Sequence, residues 1–333
     1  MHAFSYARPT SAAEAVEMFS RAGEGARFIA GGTTLYDLMK LDIEQPRHLI
    51  DVAAIQQLDG IDTAGDVLRF QALARMSAVA TDEVVLRDYP VLAESLSKAA
   101  SQQLRNMATI GGNLLQRTRC LYFRNGANGF YPCNRREPGS GCGAMGGLDR
   151  GQAVLGTSGF CTAVSPGDLP VALVALDARV DVIGRTGMRT MPIEDLYRLP
   201  GATPHLEFNL APGEMITAIV VPKTAAGRAS TYHKIRDRES YAFALASAAV
   251  ALEMRGGRVE RARIALGGVA TRPWRAAAAE AELAGKTLTP ELALKAGRAA
   301  FAEAVPGHHN AFKIELGART VADAITIAAS RSI

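Results

Sequence analysis

All four cysteines of this 333-residue chain fall between Asn106 and Asp168, in a stretch that opens NMATIGGN and closes SPGD. Cys120, Cys133 and Cys142 lie within RTRCLYFRNGANGFYPCNRREPGSGCGAMGG, dense in Gly, Arg and Asn, and Cys161 follows a little later. Apolar periodicity there is too sparse to predict a helix or a sheet. Something other than a core must order such a loop. Thiolates converging on one metal centre supply that order, because metal-ligand bonds form only in the folded state. A [4Fe-4S] cluster takes four thiolates, and a structural zinc takes the same four. No CxxC pair is present, so spacing alone chooses neither. Two disulfides are a third reading, although a chain of this length needs no such staples.

The length exceeds one ordinary core and predicts two domains or three subdomains. The formal charge is only +4 and the basic residues are spread along the chain, so nucleic acid is not an expected partner. The cysteine loop alone is locally basic. Arg105, Arg117, Arg119, Arg124, Arg135 and Arg136 are placed to face an anionic cluster, cofactor phosphates, an acidic partner or solvent. The opening MHAFSYARPTS has no basic segment followed by an apolar one, so no export signal is expected on this chain. The most apolar run, LPVALVAL, is far below the ~18 residues of a membrane span.

From the amino terminus, a short strand is predicted over Met1 to Tyr6, then a helix opened by the capping pair Ser11 and Glu14, with Ala12, Ala15, Val16 and Phe19 on its apolar face. A strand at Ala26 to Ala30 runs into Gly31-Gly32-Thr33-Thr34 and a helix from Leu35 to Lys40. Strand, glycine pair, hydroxyl pair and helix let bare amides and hydroxyls meet a phosphate, yet the third glycine of a dinucleotide fingerprint is missing. Alone, AGGTT is also an ordinary tight turn. Strands follow at His48 to Val52 and near Ile61 to Ala74, and helices at Met76 to Arg87 and Pro90 to Ala100. The glycine pattern then recurs as Ala108-Thr109-Ile110-Gly111-Gly112-Asn113. Two such bends can grip one pyrophosphate from opposite sides, which points to a dinucleotide such as FAD.

Beyond the cysteine loop, Asp168 is expected to cap the helix that begins LPVALVAL, with a second possible role toward ribityl or ribose hydroxyls. Strands are predicted at Val180 to Ile183 and Glu214 to Val221, and a linker at Pro222 to Gly227. The last part reads as an antiparallel meander covered on one face by helices at Pro273 to Leu283, Pro290 to Ala304 and Val321 to Ser330. Lys234 shares a strand face with Tyr232 and is expected at the surface unless a cofactor lies beside it. His233, His308 and His309 show no metal-like arrangement.

FIAGGTT, RNMATIGGN, SPGDLPVALVALDA, GEMITAIVVP and YHKIRDRESYAFA, in this order, resemble the FAD-binding subunit of the molybdenum hydroxylases, the xanthine dehydrogenase family. The resemblance covers essentially the whole chain. Within that family the cysteine insertion is similar to the branch with an extra [4Fe-4S] cluster in the flavin subunit, as in periplasmic aldehyde oxidoreductases and, more distantly, 4-hydroxybenzoyl-CoA reductase. The resemblance implies an α+β fold: an FAD-binding domain of the vanillyl-alcohol oxidase type over 1–223, with subdomains 1–57 and 58–223 and the iron-sulfur loop at 117–163, then a C-terminal α/β domain with an antiparallel sheet over 224–333. It implies that Phe28, Ile29, Ala30, Gly31, Gly32, Thr33, Thr34, Thr109, Gly111, Gly112 and Asn113 hold the FAD pyrophosphate. Asp168 then serves the ribityl chain, Ile216 and Lys234 lie near the isoalloxazine, and Cys120, Cys133, Cys142 and Cys161 hold the cluster.

The flavin is expected to be non-covalent, with no catalytic acid, base or nucleophile on this chain. The molybdenum cofactor and two [2Fe-2S] clusters are expected on a large and a small partner subunit of a heterotrimer. Export to the periplasm together with a partner is expected, with the cytoplasm as the alternative. Rival readings are the flavin subunit of a different molybdenum hydroxylase, a free-standing flavin oxidase, and a zinc-stabilised scaffold whose glycine bends are mere turns.

Overall fold

Three sheets follow one another along the chain in the computed structural model, which describes residues 1–125 and 129–332. Residues 126–128 of the expected cysteine loop and residue 333 of the expected second domain lie outside the described residues. The first sheet is parallel, in the order β1 (Ser5–Ala7), β3 (His48–Asp51), β2 (Ala26–Ile29). Parallel neighbours need crossovers, and the helices Ala12–Ala22 and Leu35–Lys40 lie in the two connections. Ser11 Oγ accepts from the Glu14 amide at 3.2 Å, as the capping pattern predicts. The Glu14 carboxylate turns one residue further back, accepting from the Thr10 amide at 2.7 Å. On the buried side of this helix, Phe19 packs its ring 4.9 Å from that of Phe28.

The second sheet is antiparallel, in the order β4-β5-β8-β6-β7, with β4 at Ile61–Asp62, β5 at Val67–Gln71, β6 at Arg179–Gly184, β7 at Gly187–Pro192 and β8 at Met215–Pro222. Strand β7 has no counterpart in the sequence reading. It is an edge strand with only Met191 buried, so it carries no alternating pattern. The helix predicted over Met76 to Arg87 is two helices, Met76–Thr81 and Glu83–Asp88. Asp82 divides them: its Oδ1 accepts from the amides of Val84 and Val85, both at 3.0 Å, and caps the second.

The third sheet is the predicted meander, in the order β12-β11-β10-β9, with β9 at Ser230–Ile235, β10 at Ala246–Arg255, β11 at Arg258–Gly267 and β12 at Trp274–Arg275. Gly256 and Gly257, at φ 56° and 77°, make the hairpin turn, a pair of positive φ values that glycine adopts at no steric cost. Helices Ala277–Leu283, Pro290–Ala299 and Phe312–Ser330 cover one face. The first starts later than the pattern predicts because Trp274 and Arg275 pair with β11. The last starts well before Val321, and its first turn takes Lys313 out of water.

The fully buried helix Leu169–Ala175 joins the second and third sheets into one core, which runs from Leu68 and Phe70 through Leu173 to Tyr232 and Ala249. Its apolar sequence on every side is what a helix packed all round requires.

Candidate flavin groove and cysteine loop

The two glycine bends meet. A Cβ built on Gly31 would lie 2.0 Å from the Met107 carbonyl oxygen and 3.2 Å from Ala108 Cα, so only glycine lets the first bend press against the second. Together they line an open groove of about 380 Å³, shared with Ile216 on β8 and with Phe208, Leu210 and Gly213 of the preceding loop. Phe28, Ile29, Ala30, Thr33, Thr34, Thr109, Gly111 and Gly112 are all on its walls. The loop from Phe208 to Gly213 carries no motif, and the sequence reading missed it.

The bends differ in what they leave available. Among the described residues, the amides of Gly31, Gly32, Thr33 and Thr34 and both threonine hydroxyls have no hydrogen-bond partner within the chain, and Thr34 does not cap the helix that follows. Gly32 reaches φ 71°, which opens the bend outward. Successive free amides of this kind form an anion-binding concavity. In the second bend the amides from Ile110 onward are already used: Ile110 donates to Ala74 O at 3.0 Å, Gly111 to Ala72 O at 2.9 Å, and Gly112 to Thr109 Oγ1 at 3.3 Å. Thr109 is the cap of the short helix Ile110–Leu114, and a Cβ on Gly111 would meet Ala72 Cβ at 2.8 Å. The two bends thus differ: the first leaves its amides free, and the glycines of the second chiefly permit close packing. Asn113 is not on the groove wall, but its Oδ1 is buried without a partner among the described residues and awaits a donor.

Asp168 and Lys234 also lie off the groove wall, packed against each other. Asp168 does not cap its helix. Its Oδ2 accepts from Lys234 Nζ at 2.8 Å and its Oδ1 from the Tyr232 hydroxyl at 2.5 Å. Pro170 does occupy the first turn as expected. Lys234 is buried rather than at the surface, and it also donates to the Lys98 carbonyl at 3.0 Å. Burial pushes the Asp168 carboxyl up, against the pull of Lys234 and Tyr232. The Tyr232 phenol is pushed well above its ordinary value by burial and by Asp168.

The cysteine loop packs against the groove's outer side through Leu38, Phe123, Cys133 and Cys120. All four cysteines are free thiols, with Cys133 and Cys161 buried. Cys133 and Cys142 face each other across an antiparallel bridge. Burial raises the Cys120 and Cys142 thiols, with smaller upward contributions from Cys133 on Cys120 and from Cys161 on Cys142. Backbone amides are aimed at these sulfurs: Phe123 and Tyr122 at Cys120, Ala144 and Thr162 at Cys142, and Ala163 at Cys161, the last at 3.4 Å. Among the described residues, no group of three or more His, Cys, Asp or Glu side chains closes around a single ion.

The basic residues of the loop are mostly turned inward. Arg119 and Arg124 both pair with Asp37, Arg117 and Arg135 both pair with Glu207, and Arg136 donates to the carbonyls of Tyr122, Phe123 and Tyr131. Arg105 donates to the Ala99 carbonyl at 2.6 Å. Only Arg117 reaches the groove wall. Among the described residues, no helix is long and apolar enough to cross a membrane.

Comparison with known proteins gives the groove its context. Residues 2–224 match the family described as the FAD binding domain in molybdopterin dehydrogenase, and residues 230–327 the CO dehydrogenase flavoprotein C-terminal domain. The chain is 45% identical to the aldehyde oxidoreductase FAD-binding subunit PaoB of Escherichia coli, covering 100% of both chains. It is 31% identical to the carbon monoxide dehydrogenase medium chain of Afipia carboxidovorans, over 86% of this chain and 79% of that one. The solved carbon monoxide dehydrogenase of Hydrogenophaga pseudoflava superposes with a TM-score of 0.78 at 29% identity, covering 99% of this chain and 98% of that one. With its glycine bends joined on one groove and its sequence matched end to end, the chain belongs to the FAD-binding medium subunits of the molybdenum hydroxylases.

Proposed function

We propose that this chain is the electron outlet of a molybdenum-dependent aldehyde oxidoreductase. The observation that carries the proposal is the unpartnered amide and hydroxyl cradle of residues 31–34, set on a groove whose other wall is the Thr109 bend. Phe28 to Thr34 hold the FAD pyrophosphate there with no cationic side chain among them, because backbone N–H dipoles supply the positive field. Thr109, Gly111 and Gly112 close the opposite side, and Asn113 completes that bend, its orphaned Oδ1 being the acceptor a flavin hydroxyl would need the bend to expose. Ile216 flanks the isoalloxazine from the wall; the roles of Asp168 toward the ribityl chain and of Lys234 toward the isoalloxazine require their mutual ion pair to open on binding, since both lie off that wall. FAD supplies a two-electron store between one-electron carriers and an external acceptor. The chain's own task is to bind and orient it.

The donor set of the cysteine loop suits a [4Fe-4S] cluster held by Cys120, Cys133, Cys142 and Cys161. Four free thiols lie in one loop, and backbone amides are aimed at the sulfurs of Cys120, Cys142 and Cys161, donors that a thiolate-ligated cluster can use. Residues 1–223 then form the flavin unit, with subdomains 1–57 and 58–223 and the cluster loop 117–163, and residues 224–333 form the second unit.

A large subunit with the molybdenum cofactor and a small subunit with two [2Fe-2S] clusters complete a heterotrimer, in which the aldehyde is oxidised on the large subunit. The likeness to an aldehyde oxidoreductase subunit supports this substrate class. Periplasmic placement by export with a partner is part of the same proposal, and cell fractionation tests it. The deciding experiment is cofactor analysis of the purified complex for flavin, iron, sulfide and molybdenum. A colourless preparation that contains zinc and lacks flavin overturns the proposal.

A further inference from the structure

Cys161 is joined to the wall of the flavin groove by an unbroken line of charged hydrogen bonds. Arg135 Nε donates to Cys161 Sγ at 3.3 Å, and its Nη1 donates to Glu207 Oε2. Glu207 Oε1 accepts from Arg117 Nε at 2.6 Å. Arg117 Nη1 then donates to Glu44 Oε1 at 2.7 Å, and Glu44 Oε2 accepts from Arg27 Nε at 3.1 Å. Arg117, Glu44 and Arg27 line the groove. The line is driest at its sulfur end, where the side chains of Arg135 and Glu207 are 6% and 10% exposed.

Holding the loop together does not require a full charge on a cysteine sulfur. The backbone amides already aimed at these sulfurs supply ordinary donors. Arg135 differs from them in bringing a cation out of water to the thiol, where screening is weak and a unit charge acts strongly on its neighbours. An arginine guanidinium stays protonated in a folded protein, and Glu207 pairs with this one on its other side.

We propose that Arg135 and Glu207 set the reduction potential of the [4Fe-4S] cluster, and that Arg117 ties that setting to the flavin groove. The inference rests on the cluster assignment made above. Reduction adds one electron, hence one negative charge, to the cluster and its sulfurs, while Arg135 keeps its protons. A hydrogen-bonded cation favours the reduced form and raises the potential, and a carboxylate behind it tempers the effect. Arg135 and Glu207 are positioning residues that act through Cys161.

The test is a redox titration of the purified complex, followed by the electron paramagnetic resonance of the reduced cluster, for wild type, R135Q and E207Q. Iron and acid-labile sulfide are measured on the same samples. The cluster midpoint moves to more negative potential in R135Q and to more positive potential in E207Q, and the flavin midpoint moves less than the cluster's in both. Opposite signs are the signature, since mere loosening of the loop displaces both variants the same way. Equal midpoints, or shifts of one sign, overturn the inference and leave the cluster assignment standing. A wild-type complex without iron and sulfide overturns both. If R135Q loses its cluster on purification, E207Q decides alone, and a midpoint at or below wild type overturns the inference.

Discussion

Lys234 Nζ lies 2.8 Å from Asp168 Oδ2, with side-chain exposures of 1% and 7%. The pair bridges β9 of the third sheet and the start of the buried helix Leu169–Ala175, so it fastens the C-terminal sheet to the flavin-groove part of the chain. Tyr232, one strand-face neighbour away, donates to the other carboxylate oxygen, and its hydroxyl is 2.9 Å from Ser247 Oγ.

Lys234→Met leaves a buried carboxylate without its cation, an outcome that costs about 3–5 kcal/mol. D168N alone costs less, because an amide keeps one acceptor for Tyr232. The double variant recovers part of the K234M loss, since neither charge is then stranded. Urea unfolding of the four proteins in a double-mutant cycle measures this. Additive losses would refute the pairing.

Gly31→Ala pushes the two bends apart, because the new methyl meets the Met107 carbonyl at 2.0 Å. The strain is on the order of 1–3 kcal/mol, and flavin retention falls by about tenfold or more if the groove opens by that energy. Gly65→Ala, where a Cβ meets nothing within 4 Å, is the control and leaves retention unchanged. The ratio of flavin absorbance to protein absorbance after gel filtration reads both.

Cys161→Ser replaces the proposed thiolate ligand by a hydroxyl of much poorer affinity for iron. Iron and sulfide per chain drop to a small fraction of wild type while flavin stays bound, because Cys161 is not on the groove wall. Unchanged iron in this variant removes Cys161 from the cluster's ligands.

Lys313 gives a pH signature. Its Nζ donates to the Gly268 carbonyl at 2.7 Å, and burial lowers its pKa to about 8 from the ordinary 10.5. Between those values the unfolded chain binds more protons than the folded one, so stability rises with pH across this window and is lost as pH falls through about 8. The gain is on the order of 1 kcal/mol per pH unit. Lys313→Met flattens that slope, which denaturation at pH 7.5, 9 and 10 detects.

Much of the architecture was legible because it is written in local patterns. The capping residue Ser11, the strand-bend-helix run through Gly31 and Gly32, and the Gly256-Gly257 hairpin each act on neighbours a few residues away. Both glycine bends, and the clustering of the cysteines, were visible for the same reason. Edge strand β7 was not legible, since an edge exposed on both faces has no alternation to read. Nor was the break at Asp82, where a capping carboxylate outcompeted an apolar pattern that continues through it.

The sequence by itself determined most of the helices and strands, and singled out two hydroxyl-and-glycine bends and one loop of four cysteines as the candidates for chemistry. Only the tertiary structure decided how they are used. It spent the amides of Ile110 and Gly111 on the carbonyls of Ala74 and Ala72, and left those of residues 31–34 free. It took Asp168 from its expected cap to Lys234, and Arg135 from an open loop to a cysteine sulfur and Glu207. These partners are separated by tens of residues, and a buried charge takes whichever opposite charge or donor the folded chain brings within reach, because unpaired it is too costly to keep.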